Sequence, residues 1–241
     1  MSNDPTGLQP RCYALVPAAG VGARSGAAGP KQYVSLAGRP MMAHTLAALR
    51  RVPGLAATLV LLSPEDDLFE TLLPEFEGAT AWVARCGGAT RADTVAAGLR
   101  ELQARGARPH DWVLVHDAAR CLLQPAWVEQ LIAACAADEV GGLLALPLAD
   151  TLKVEQGGRV AATVDRQGKW AAQTPQMFRL GLLQPALAQA LAQDGAAVTD
   201  EASAIEALGH SPLLVASSLE NFKVTWPADF ALAERLLRSR V

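Results

Sequence analysis

Short apolar runs alternate with longer alanine- and leucine-rich stretches over the first 147 residues, and no other feature restricts the fold as much. Candidate strands lie at Tyr13–Val16, Thr58–Leu62, Ala81–Ala84, Trp112–His116 and Gly142–Leu146. Between them, Pro40–Arg51, Glu65–Leu73, Arg91–Ala104 and Pro125–Ala137 have helical composition. Such strand–helix–strand units bury their helices against a largely parallel sheet, so the chain reads as an α/β protein that binds ligands beyond the carboxyl ends of its strands. With 241 residues, 51% of them hydrophobic and 19% charged, a single core suffices, and residues 1–241 read as one domain.

The alternation breaks after Pro147. Residues 148–173 are more polar and carry two turn signatures, Gln156-Gly157-Gly158-Arg159 and Gln167-Gly168-Lys169, which predict two or three short strands. They read as a hairpin arm leaving the domain. A lone hairpin is marginally stable in water, so the arm is expected to pack on the same arm of a second subunit, giving a homodimer. Helical patterns return at Gly181–Gln193, Asp200–Leu208 and Pro227–Arg238, with a strand near Leu213–Ala216.

A formal net charge of −3 argues against nucleic acid or an anionic membrane as partner, since both require a broad cationic surface. Any phosphate site must be basic only locally. Cys12, Cys86, Cys121 and Cys135 have neither metal-ligand spacing nor the density of a disulfide scaffold, and read as thiols in a reducing, cytoplasmic compartment. Residues 1–11 form a polar tail without the apolar stretch of a secretory signal. No apolar run approaches the ~20 residues of a membrane helix.

The first candidate strand enters a loop of small residues, Pro17 to Pro30, that contains Arg24 and is followed by Lys31. Small residues let backbone amides approach a polyphosphate, and the two cations can neutralise it. A dinucleotide-binding turn would need glycine where Ser25 stands and an acid at the tip of the second strand, which ends Leu62-Ser63-Pro64. The phosphate-binding pattern GxxxxGK[ST] is also absent, because Pro30 precedes Lys31 and Gln32 follows it.

The segment Pro17 to Tyr33, PAAGVGARSGAAGPKQY, resembles the nucleotide-binding loop of nucleotidyltransferases with a GT-A-type fold, and its PKQY ending resembles their cytidylyltransferase branch. GGATRADTV at 87–95, VHDAAR at 115–120, DTLK at 150–153, TVDR at 163–166, QTPQ at 173–176, TDEAS at 199–203 and NFKVT at 221–225 follow in order. The set spans Tyr13 to about Arg238 and is similar to the methylerythritol phosphate cytidylyltransferases of non-mevalonate isoprenoid synthesis. The resemblance implies a Rossmann-like, GT-A-type fold with a mostly parallel mixed sheet and a protruding β-hairpin arm. It further implies CTP and a polyol phosphate as substrates and Mg2+ as cofactor.

In such a reaction an acceptor phosphate oxygen attacks the α-phosphorus of CTP and pyrophosphate leaves. A phosphate monoester, with a second pKa of about 6, arrives already ionised, so no general base is needed. The obstacles are repulsion between polyanions and charge building on the bridging oxygen, which cations relieve. By resemblance, Arg24 and Lys31 are the catalytic cations on the triphosphate, while Pro17, Ala18, Ala19, Gly20 and Gly22 form the loop around it. Gly87, Gly88, Ala89 and the Thr94 hydroxyl would read the exocyclic amine of cytosine, a donor where uracil has an acceptor, with Arg91 nearby. Asp117, followed by Ala118, would lie between the ribose and the acceptor, close to Mg2+. The acceptor phosphate would fall to Lys223 and to Arg166 from the partner's arm, with Thr151, Thr174 and Thr199 as hydroxyl donors and Arg120 alongside.

Local explanations compete at several of these positions. Arg120 also suits an internal ion pair, Thr199 an N-cap before Asp200-Glu201, and Asp93 the acid favoured in a first helical turn; His116 reads as structural. Cys121 replaces the proline usual after HDAAR, Trp226 an arginine, Ala23 a second arginine beside the Arg24 position, and Glu220 an aspartate. These departures bear on the edge of the acceptor pocket. A ribitol 5-phosphate cytidylyltransferase would share most of the motifs, and a non-catalytic nucleotide-binding module is the alternative of another class. Retention of Arg24, Lys31, Asp117, Arg166 and Lys223 favours an enzyme. With the chain stopping after the helix near Arg238, no fused cyclodiphosphate synthase is expected.

Overall fold

Side chains of the first strand, β1 (Cys12–Pro17), alternate between two cores: Cys12, Ala14 and Val16 enter one, Tyr13 and Leu15 the other. All five are buried, which requires helices on both faces of the sheet. The computed structural model describes residues 9–20, 26, 29–193 and 198–240. After β1 come β2 (Ser35–Leu36), β3 (Arg39–Pro40), α1 (Met41–Arg50), β4 (Leu55–Leu61), α2 (Phe69–Leu72), β5 (Ala81–Ala84), α3 (Arg91–Ala104), β6 (Trp112–Val115), α4 (Pro125–Cys135) and β7 (Gly141–Pro147). Then follow β8 (Leu152–Gln156), β9 (Arg159–Val164), β10 (Trp170–Arg179), α5 (Leu180–Ala192), α6 (Glu201–Ala207), β11 (Leu213–Ala216) and α7 (Pro227–Arg238).

Seven strands form the central sheet in the order β11-β7-β10-β6-β1-β4-β5. Strand β10 runs antiparallel to both neighbours, and the other pairings are parallel, so the sheet is mixed and mostly parallel, as expected. Helices α1 and α4 cover one face through Leu46, Leu49, Val128 and Leu131. Helices α3, α5 and α6 cover the other through Leu99, Leu102, Leu183, Leu187 and Ile205. Gly98 lets α3 lie close to the sheet, since a Cβ there would come within 2.4 Å of Leu61 Cδ1 and 2.9 Å of Leu15 Cδ1. At the amino ends of the strands, buried Asp111 accepts from the Arg11 amide at 2.9 Å and the Arg108 amide at 2.8 Å, tying the first strand to β6. A third cluster joins α7 to Leu36, Met41, Cys121, Leu122 and Val224.

Two element boundaries need correction. The helix expected over Glu65–Leu73 is a single turn, because Asp66 Oδ1 accepts from the amides of Leu68 and Phe69 and starts the turn late. The arm expected over 148–173 ends earlier. Strands β8 and β9 pair only with each other among the described residues, but Trp170 to Ala172 already pair with Pro147 to Ala145 of β7. The third strand therefore belongs to the central sheet and continues to Arg179. What protrudes is the β8–β9 hairpin, with Val154 and Val160 exposed.

Candidate active site

The loop after β1 is tied down at both ends. The Ala18 amide donates to Leu61 O at 2.8 Å, and buried Gln32 donates through Nε2 to Ala18 O at 2.8 Å. A 3-10 turn at Lys31–Tyr33 is thus clamped to the point where the loop departs. Beside it, the Gly87 amide donates to Leu62 O at 2.9 Å. A Cβ on Gly87 would fall 2.3 Å from Ala19 Cβ and 2.8 Å from Leu62 O, so the two loops touch only because this side chain is missing. Gly87→Ala is therefore expected to spread them, raising KM for CTP at least tenfold and costing about 1–3 kcal/mol of stability. Nucleotide-dependent kinetics and thermal melting check this, and values equal to wild type would refute it.

Helix α3 begins at a capping box: Thr90 Oγ1 accepts from the Asp93 amide at 3.1 Å, and Asp93 Oδ2 accepts from the Thr90 amide at 3.0 Å. Asp93 thus has its structural role. One turn on, Thr94 Oγ1 accepts from the Gly88 amide at 3.1 Å and donates to Thr90 O at 3.0 Å. The Thr94 proton is spent locally, and its oxygen retains one lone pair for an incoming donor.

Asp117 stands just past the carboxyl end of β6 and is 7% exposed. Arg91 Nε donates to its Oδ1 at 2.9 Å, Lys223 Nζ pairs with Oδ2 at 2.8 Å, and Arg120 Nε lies 3.8 Å from the same oxygen. Burial alone would raise the carboxyl pKa, but Arg91 and Lys223 hold it well below the usual carboxylate range. Arg91 is itself forked on Glu201, at 2.7 and 3.1 Å. Its burial opposes the charge, yet the Glu201 and Asp117 carboxylates keep the guanidinium protonated more firmly than an ordinary arginine.

Behind Asp117 lies a relay of neutral groups. Thr174 Oγ1 accepts from the Asp117 amide at 3.0 Å and lies 3.1 Å from His116 Nδ1. Nε2 faces Arg120 O, an acceptor, at 3.4 Å, which assigns the ring proton to Nε2 and lets the Thr174 hydroxyl donate to Nδ1. Complete burial holds the His116 pKa down to about 4, so the ring is neutral at pH 7 and serves structure. Thr174, expected to donate to the acceptor, is buried with its hydroxyl committed to His116. Arg120 donates to Asn221 O at 2.6 Å and Ala172 O at 3.4 Å, which with Asp117 places its guanidinium among internal partners.

A cleft of about 440 Å3 at the carboxyl end of β1 and β6 is lined by Pro17, Ala18, Ala19, Gly20, Lys31, Gly88, Ala89, Arg91, Thr94, Asp117, Ala118 and Lys223. Lys31 Nζ donates to Val224 O at 2.9 Å, closing one wall. Gly87 and Arg120 are not part of this lining. Thr151, Arg166 and Thr199 are exposed and do not line the cleft of this single chain. Thr199 is also not the N-cap of α6; that position belongs to Asp200, whose side chain accepts from the Ser203 amide, while Thr199 contributes only its own amide, to Ser203 Oγ at 3.1 Å. Gly22 and Arg24 lie outside the described residues. The roles of Gln32, Glu201 and the Val224 carbonyl were not assigned from sequence, although all three sit inside the PKQY, TDEAS and NFKVT motifs.

A sheet covered by helices on both faces, with a loop of small residues, a glycine turn and clustered cations meeting beyond its strand ends, has the arrangement of a nucleotidyltransferase. Residues 12–239 match the family described as IspD, 2-C-methyl-D-erythritol 4-phosphate cytidylyltransferase. The 2-C-methyl-D-erythritol 4-phosphate cytidylyltransferase of Burkholderia cenocepacia is 52% identical over 95% of this chain and 97% of that protein. A bifunctional IspD/IspF enzyme of Albidiferax ferrireducens is 59% identical over 96% of this chain, which spans about half, 54%, of that longer protein. A crystal structure of a 4-diphosphocytidyl-2C-methyl-D-erythritol synthase superimposes with a TM-score of 0.83 at 41% identity, covering 95% of this chain and 99% of the other. The chain belongs to the 2-C-methyl-D-erythritol 4-phosphate cytidylyltransferase family.

Proposed function

We propose that this chain transfers CMP from CTP to 2-C-methyl-D-erythritol 4-phosphate, giving 4-diphosphocytidyl-2-C-methyl-D-erythritol and pyrophosphate. The observation that carries the reading is the meeting of Lys31, Arg91 and Lys223 with the Pro17–Gly20 loop and the Gly88–Thr90 turn in one cleft. Among the described residues that line it, three cations, Lys31, Arg91 and Lys223, outnumber one carboxylate, Asp117, so a polyanion is attracted although the chain as a whole is acidic. Lys31 and Arg24 would take the triphosphate, and Lys223 the acceptor phosphate with Thr151, Arg166 and Thr199. The free lone pair of Thr94 suits the amine of cytosine.

Mg2+ prefers one or two carboxylates together with substrate phosphates and water. Among the described residues Asp117 is the one carboxylate lining the cleft, and no three His, Cys, Asp or Glu side chains gather into a protein-only metal site. That donor set fits a Mg2+ held chiefly by the nucleotide, where it would neutralise phosphate charge. Four thiols without a disulfide suit the cytoplasm. No helix of the described residues is long and apolar enough to cross a membrane. The deciding assay times pyrophosphate release from Mg-CTP with each acceptor. Preference for ribitol 5-phosphate would overturn the substrate, and no turnover with either would overturn the enzyme.

A homodimer is part of this reading. The β8–β9 hairpin presents apolar Val154 and Val160, 44% and 65% exposed, which a second arm would cover, and Arg166 follows β9 at the arm's return. If Arg166 serves the partner's cleft, co-expressing a Lys31→Ala chain with an Arg166→Ala chain restores one intact site per mixed dimer. Activity on mixing is expected from two nearly inactive parents; none would place Arg166 outside the partner's site.

A further inference from the structure

The charges of the cleft are anchored from outside it. Glu201 does not line the cleft, is 1% exposed, and takes Arg91 Nη1 and Nη2 on its two oxygens at 2.7 and 3.1 Å. This fork is the rigid, directional form of an arginine–carboxylate pair. It leaves Nε to Asp117 Oδ1 at 2.9 Å, while Lys223 Nζ holds Oδ2 at 2.8 Å. Charge alternates in sign from buried Glu201 through Arg91 and Asp117 to Lys223, and it is the two cations, with side chains 28% and 34% exposed, that reach the cleft. Arg91 opens α3, where the helix dipole disfavours a cation, so it depends on these two carboxylates.

Glu201 is in turn fixed by buried backbone chemistry. Gln176 of β10 accepts from the Ala202 amide at 2.7 Å and donates to Asp200 Oδ2 at 2.8 Å, and Asp200 Oδ1 accepts from the Ser203 amide at 2.9 Å. These bonds set the height of the first turn of α6 against the sheet. Without a carboxylate at 201, the Arg91 guanidinium is free to turn two nitrogens onto Asp117 and displace Lys223 from Oδ2.

We propose that Glu201 is a positioning residue for the transfer: by holding Arg91 to one oxygen of Asp117 it keeps Lys223 seated on the other, where the acceptor phosphate is to be met. The inference rests on the transferase reading above, and wild-type turnover separates the two, since its absence would sink that reading first. Glu201→Gln keeps the size of the side chain and removes its charge. In protein that melts cooperatively, it is expected to raise KM for the acceptor about tenfold while KM for CTP changes less than about threefold, a split that a merely structural residue would not produce. In a Lys223→Gln background the same substitution is expected to add little, because the cation it positions is gone. Should Glu201→Gln fail to fold, Glu201→Asp, which retracts the carboxylate by one methylene, carries the test with a shift of about threefold. An acceptor KM unchanged in the folded variant, or a shift of full size in the Lys223→Gln background, would overturn the proposal.

Discussion

Asp117→Ala is expected to lose turnover altogether and to destabilise the folded protein by about 3–5 kcal/mol, the usual cost of removing one member of a buried ion pair. The loss comes less from missing attraction than from what stays behind: Arg91, Lys223 and Arg120 would face one another without the carboxylate that separates them. Arg91 and Lys223 retain 28% and 34% side-chain exposure, so water screens part of that repulsion and the lower end of the range applies. The carboxyl pKa is depressed in the fold, so its contribution is complete above the ordinary carboxylate range and fades only as pH falls through the folded value. Denaturant titration at pH 7 reads the difference in full. A variant as stable as wild type would show that the cations do not depend on this anion.

Lys31→Ala is expected to lower kcat by about 10²–10³ while the protein stays folded, the scale found when one preorganised donor to developing charge is removed. Its ammonium makes a hydrogen bond to Val224 O, worth about 1.5–3 kcal/mol for a charged donor, and its stem sits at a cleft wall rather than in a core. The loss of rate in protein that remains folded should therefore exceed what this modest destabilisation explains. Steady-state rates together with circular dichroism decide it, and near-normal turnover would remove Lys31 from the chemistry.

Elements with one clear periodicity were legible from the residues alone. Helix α3, helix α7 and strands β5 and β11 fall where their composition places them. Strand β10 was harder to read. Pro175 within it lacks a ladder donor, and the pairing with β7 is irregular between Ala172 and Gln176, so the strand passes over that gap. Sheet order was equally hidden, because the place of β10 between β6 and β7 is set by which edges remain after the parallel strands have paired. Within the cleft, the Pro17–Gly20 loop and Asp117 could be named from motifs. The fork on Glu201 could not, since a partnership between residues 91 and 201 leaves no local pattern.

The bond from Lys31 to the Val224 carbonyl joins positions 193 apart in the chain. During synthesis, Lys31 leaves the ribosome early but finds the wall it closes only after β11 has been made and Lys223 and Val224 have followed it. A nascent chain halted at residue 216 would carry every strand of the sheet and still be unable to consume nucleotide.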